Sequence, residues 1–264
     1  MKSVNYWIAK HGRLCKVILF LGLIAFSLLA SASEYVSFLS VYLIDLALWL
    51  FGGRLISNAP VKLAREAHEQ LSLHCDPVPL TELMEQMLTW NLPGNQHQVA
   101  QMDYAVCLRE TGRYQKAAEV LQSIHIDKFP GTNPYIKYVY YQNLCDILYL
   151  LDRKDEARIW YRKSQEIYND IPGTKTKEVL THTHDMMDAE VLYYVGNPDL
   201  ALQMVSRIKL PTPRNILDAA MLAAKCHIAL DEPEKAREKL NYIAEHGNKL
   251  HIAEEASSLL ETLN

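Results

Sequence analysis

Several side-chain groupings carry the types and spacings that chemistry needs. His182-Thr183-His184-Asp185 offers two imidazoles and a carboxylate, the donors of a zinc or general-base site. Positions i and i+2 of a helix point about 200° apart, so the two rings cannot share one ion, and the run reads as a solvated helix start. His74-Cys75-Asp76 sets a thiol beside a base, but it stands immediately before Pro77 and reads as a helix end and turn. Cys107, Cys145 and Cys226 fall at small-residue positions inside apolar helical stretches, where free buried thiols are expected and no nucleophile–base pair is indicated. The five cysteines contain no C-x-x-C, which argues against a zinc site and a disulfide framework. Asp152-Arg153-Lys154-Asp155-Glu156 is a solvated charge run at a turn. The chain has no G-x-S-x-G, no G-K-[ST] and no H-E-x-x-H. The reading is therefore not an enzyme, with no catalytic residue, no cofactor and no metal.

Asp45 is different, because it sits within an apolar run. Val17 to Ala30 is broken only by Gly22 and Ser27, and Tyr35 to Phe51 only by Ser37, Ser40 and Asp45. Segments apolar nearly all round suit lipid or a large core. Each reaches the span of a bilayer, about 20 residues, once its flanks are counted. Lys2, Lys10, Arg13 and Lys16 precede the first run, Arg54, Lys62 and Arg65 follow the second, and only Glu34 lies between. Basic ends and an acidic tip predict a membrane hairpin over residues 14–54 with both ends in the cytoplasm. An Asp at mid-membrane costs roughly 2.5–3.5 kcal/mol on insertion scales, so Asp45 is expected to bond Ser27 or a partner helix. One alternative is an exported envelope-assembly or secretion factor with a signal peptide, for which Ala30-Ser31-Ala32 fits a cleavage site, or a signal anchor. Another is a small subunit of a membrane transport complex that uses Asp45.

The whole-chain averages conceal this division. The 264 residues carry a formal −4, with 49% hydrophobic and 22% charged types, and a mean hydropathy of −0.10. Residues 1–56 hold five basic and two acidic side chains, which leaves 22 basic and 29 acidic for the rest. An array of net −7 has no affinity for nucleic acid to be expected.

Beyond residue 56 the apolar positions follow the helical period, and Pro- or Gly-containing breaks fall near Asp76-Pro77, Leu92-Pro93-Gly94, Pro130-Gly131, Pro172-Gly173 and Leu210-Pro211. Four segments align on an alanine: Thr111-Gly112-Arg113-Tyr114-Gln115-Lys116-Ala117, Leu151 to Ala157, Val195 to Ala201, and Leu230 to Ala236. The steps between alanines are 40, 44 and 35 residues. Midway along each preceding helix stands a small residue: Ala105, Cys145, Ala189 and Ala224. This pattern resembles the tetratricopeptide repeat (TPR). Gly112, Tyr114 and Ala117 match its turn glycine, its aromatic and its second-helix alanine, while Gly196 and Ala201 match two of the three. The family's tryptophan and closing proline are largely absent. The resemblance implies an all-α fold, an α-solenoid of antiparallel helix pairs preceded by the hydrophobic helical hairpin. The expected layout is an anchor over 1–56, a degenerate leading helix pair over 57–94, about four repeats over 95–248 and a capping helix over 249–264. That helix would face the array with Leu250, Ala253, Ala256, Leu259, Leu260 and Leu263, and turn Glu254, Glu255 and Ser257 to water.

The resemblance also implies a concave groove lined by the first helix of each pair. Its positions become Met102, Asp103 and Arg109; Asn143, Asp146 and Tyr149; Met186, Met187, Glu190 and Tyr193; and Met221 and Lys225. Family members that grip a C-terminal carboxylate use Lys and Asn here. Asn143 fits that pattern, whereas Met102, Val106, Thr183 and Met187 do not, so a carboxylate clamp is not expected. Methionine and tyrosine suit an adaptable apolar contact with a helix or extended segment. The expected function is a membrane-anchored, non-catalytic scaffold that binds a protein or peptide partner, its helical domain in the cytoplasm.

Overall fold

A computed structural model describes residues 4–31, 37–92, 94–128 and 133–263. These residues form helices joined by turns and short loops, with no strand among them. The order is α1 (Val4–Lys10), α2 (Gly12–Ser31), α3 (Phe38–His74), α4 (Val78–Met87), α5 (Gly94–Glu110), α6 (Tyr114–Gln122), α7 (Pro134–Leu150), α8 (Lys154–Asp170), α9 (Thr174–Tyr194), α10 (Pro198–Val205), α11 (Pro213–Ala229), α12 (Pro233–His246) and α13 (His251–Thr262). The chain divides into two units, residues 1–67 with 89–92, and residues 68–88 with 93–264. Ala32, Glu34, Tyr35 and Pro130-Gly131, each singled out above, lie outside the described residues.

In the first unit, α2 buries none of its residues, and Leu29 is 76% exposed. Phe51 in α3 is 68% exposed. Both helices are long and apolar enough to cross a membrane. Their side chains meet in antiparallel order. Ser27 donates to Asp45, Phe20 lies edge-on to Trp49 at 5.8 Å, and a Cβ on Gly52 would come within 2.8 Å of Leu19. The expected boundary at residue 56 is not a helix end, since α3 runs from Phe38 through Pro60 to His74. A proline removes one rung of the backbone ladder, and the turns on either side carry this helix past that loss.

In the second unit the helices pack as neighbours, α5 with α6, α7 with α8, α9 with α10, α11 with α12, and α13 against α12. The turns within the four pairs share one geometry. Gly112, Asp152, Gly196 and Asp231 all adopt left-handed backbone, with φ of 73°, 57°, 87° and 59°. The next N–H in each case reaches back to the helix just ended: Arg113 to Leu108, Arg153 to Leu148, Asn197 to Leu192 and Glu232 to His227, at 2.8–2.9 Å. This is the Schellman closure, which satisfies carbonyls the helix end leaves open. Glycine enters left-handed backbone freely, and Asp tolerates it better than most residues. Ala117, Ala157, Ala201 and Ala236 have no exposed surface, and neither have Ala105, Cys145, Ala189 and Ala224. Small side chains at these eight places let the paired helices approach closely.

The last helix does more than cover the end of the array. A Cβ on Gly112 would come within 2.7 Å of the His251 ring, and Tyr114 meets that ring edge-on at 5.9 Å. Lys249 Nζ pairs with Asp76 at 2.6 Å, and Asn248 donates to the His74 carbonyl at 2.8 Å. The C-terminal segment thus returns to the α4 and α5–α6 end of its unit. Glu255, expected to face water, pairs instead with Lys225 at 2.8 Å. The return of α13 carries that face toward α11.

Candidate functional site

Arg109 sits in the last turn of α5 and reaches three carboxylates. Its Nε lies 3.0 Å from Asp146 of α7, and its Nη1 lies 2.9 Å from Glu110 and 3.1 Å from Asp218 of α11. Arg214, one turn before Asp218 on α11, pairs with Glu110 and lies 3.7 Å from Asp218. With Lys225–Glu255, these contacts bring α5, α7, α11 and α13 onto one ionic cluster. Glu190 of α9 lines the cavity beside it. The first helix of the first pair and the first helix of the last pair therefore meet through Arg109–Asp218 and Arg214–Glu110. A straight stack of pairs would hold those residues apart.

Three cations and five carboxylates make up this group. Burial works against the charge on Arg109, but Asp146, Asp218 and Glu110 outweigh it and hold the guanidinium protonated. Burial also opposes the Asp218 charge, and Arg109 and Arg214 overcome it, so this carboxyl lies below the usual carboxylate range. Glu190 behaves oppositely. Burial, then the nearby Asp146 charge, pushes its carboxyl well above that range, and it makes no salt bridge or hydrogen bond among the described residues. Beside it lies a cavity of about 50 Å³, bordered by Tyr114, Tyr193, Tyr194, Leu150, Met221 and Ile252 together with the charged groups.

Six of the twelve expected groove residues line this cavity: Arg109, Asp146, Glu190, Tyr193, Met221 and Lys225. The rest are elsewhere. Met102, Met186 and Met187 are buried, and Met186 belongs to the core between α9, α10 and α11. Tyr149 is buried and stacks on Tyr194 at 4.3 Å. Asp103 pairs with His68 at 3.2 Å, and Asn143 is half-buried. The reading from sequence did not include Glu110, Asp218, Arg214, Glu255, Tyr114 and Tyr194. Two of these had a signal: Asp218 is four residues before Leu222 and Arg214 four before that, so the inward stripe of α11 simply continues toward its start.

The histidine run is also placed differently from the expectation. Because α9 begins at Thr174, His182 and His184 lie in mid-helix. His184 stacks on Tyr168 at 3.8 Å, and its Nδ1 is 3.1 Å from the Tyr138 hydroxyl. Burial lowers its basicity. Cys75 is buried in a left-handed turn. Asp76 accepts from the Val78 N–H at 3.0 Å. Burial pushes the Cys107 thiol up to about 12 and the Cys226 thiol up to about 11, which keeps both protonated at neutral pH. Among the described residues, no three His, Cys, Asp or Glu side chains gather as metal ligands would.

Comparison of the chain with protein-family models, with curated proteins and with solved structures finds no match in any of the three.

Proposed function

We propose that this chain is a membrane-anchored, TPR-like scaffold. In this reading α2 and the apolar part of α3 form a hairpin in the bilayer, and the acidic helical unit faces the cytoplasm and binds a protein partner without catalysis. The observation that carries the anchor is α2, a 20-residue apolar helix with no buried residue. A soluble fold would leave that surface in water, whereas lipid covers it at no cost. Tethering raises the effective concentration of a bound partner at the membrane. Support for the scaffold comes from four helix pairs closed by the same turn, with inward residues converging from each pair. The buried methionines leave the ionic part of the inner face, rather than an apolar strip, for contact with a partner.

A photo-crosslinking amino acid at position 193, in the full chain within its native membranes, tests this reading. An adduct with one protein at position 193, absent from the outward position 159, is the expected result. Equal adducts at both positions, or none at 193, would remove the inner face as the binding surface.

A further inference from the structure

The cluster holds more carboxyl groups than cations, and Glu190 is the carboxyl with no cation within salt-bridge distance among the described residues. Glu190 faces a cavity of about 50 Å³, several times the space one water requires. The walls are mixed in a particular way. Tyr114, Tyr193 and Tyr194 bring aromatic rings, whose faces attract cations, and Leu150 and Ile252 supply aliphatic surface.

We propose that this cavity binds a primary ammonium group on a short aliphatic stem, the group carried by a lysine side chain and by a free alkylamine. The ammonium pairs with Glu190 among the tyrosine rings, and the stem lies against Leu150 and Ile252. An anion entering here would find no free cation among the described residues of the cluster, because Arg109, Arg214 and Lys225 are already paired with carboxylates. A neutral apolar group would leave Glu190 desolvated and unpaired, which is costly. Taking the lysine source, the inference rests on the scaffold reading and names what a partner inserts. The alkylamine source stands without that reading.

Binding also moves a proton. Burial and Asp146 raise the Glu190 carboxyl in the free site, so it holds its proton to higher pH than an ordinary carboxylate does. An arriving ammonium favours the ionised carboxylate, so the carboxyl proton passes to the buffer as the ion pair forms. The amine keeps its own proton throughout.

Isothermal titration calorimetry on the full chain in detergent, near pH 7, tests this with n-butylammonium, n-butyrate and the peptide acetyl-Gly-Lys-Gly-amide as probes. Saturable binding of n-butylammonium and none of n-butyrate is expected. Glu190→Gln, a substitution of the same shape, should weaken butylammonium binding at least tenfold. Peptide binding at least as tight as that of butylammonium assigns the site to lysine, and butylammonium binding alone assigns it to free amines. Either result leaves the cation site standing even if no partner is captured at position 193. No saturable butylammonium binding to the wild-type chain, or equal binding of butyrate, would overturn the proposal without recourse to a variant.

Discussion

Arg109 and Glu190 sit in the same cluster and respond to burial in opposite ways. Arg109 stays charged because three carboxylates surround it, while burial and then the Asp146 charge push the Glu190 carboxyl well above the usual carboxylate range. That difference has a consequence for stability. An unfolded Glu releases its proton near its ordinary value of 4.5, whereas the folded chain retains the Glu190 proton to higher pH. Above that value the folded state binds more protons, so the contribution of this group to stability declines as pH rises through the window and is undiminished below it. Glu190→Gln removes the titration. Denaturant unfolding at several pH values should show the variant gaining stability on wild type from about pH 5 upward, with the gain shrinking toward zero below about pH 4. A gain that is the same at every pH would mean that Glu190 does not carry the proton. The place of Glu190 beside the cavity was implied by the repeat resemblance, not by spacing alone. Its missing cation was not, because the groups that satisfy its neighbours come from segments as far apart as Arg109 and Asp218, separated by 109 positions.

Among the elements, the turns were the most legible feature, since Gly112, Asp152, Gly196 and Asp231 each stand five residues before a buried alanine. The left-handed backbone they adopt follows from residue type. What surrounds each turn does not. Gly196 has open space where a Cβ would stand, and Gly112 has the His251 ring there. Gly196→Ala should therefore cost about 1–2 kcal/mol, the strain of a left-handed alanine. Gly112→Ala should cost measurably more, and adding His251→Ala should bring its penalty down to that of Gly196→Ala. Thermal unfolding of the two single variants and the double variant checks this; equal penalties for the two glycines would argue against the return of α13 to this turn. The return itself was beyond the reach of periodicity. Apolar spacing tells which face of α13 is buried, but not that the array curves far enough for its last helix to meet its first turn. The same holds for Glu255, read as solvent-facing from the sequence of α13 alone. Continuity of α3 past residue 56 was missed for a local reason: the apolar run ends at Phe51, and that change of composition does not mark a helix end, since α3 continues through Pro60 to His74.

On the scale of the whole molecule, the near-neutral mean hydropathy averages over an apolar basic-flanked segment and an acidic helical unit. The structure leaves both long apolar helices with their side chains outward, apart from contacts such as Phe20 on Trp49 and Ser27 on Asp45. Exposed apolar surface of this extent needs a covering, and the bilayer is the one this account assigns. The anchor is also what gives the scaffold reading its content, since a tether that did not hold would not concentrate a partner at the membrane. Extraction of native membranes with alkaline carbonate, followed by sedimentation and detection of the full chain, addresses this directly. The chain is expected to stay in the membrane pellet and to be released by detergent alone. Recovery of the full chain in the carbonate supernatant would contradict the anchor and, with it, the membrane-tethered scaffold.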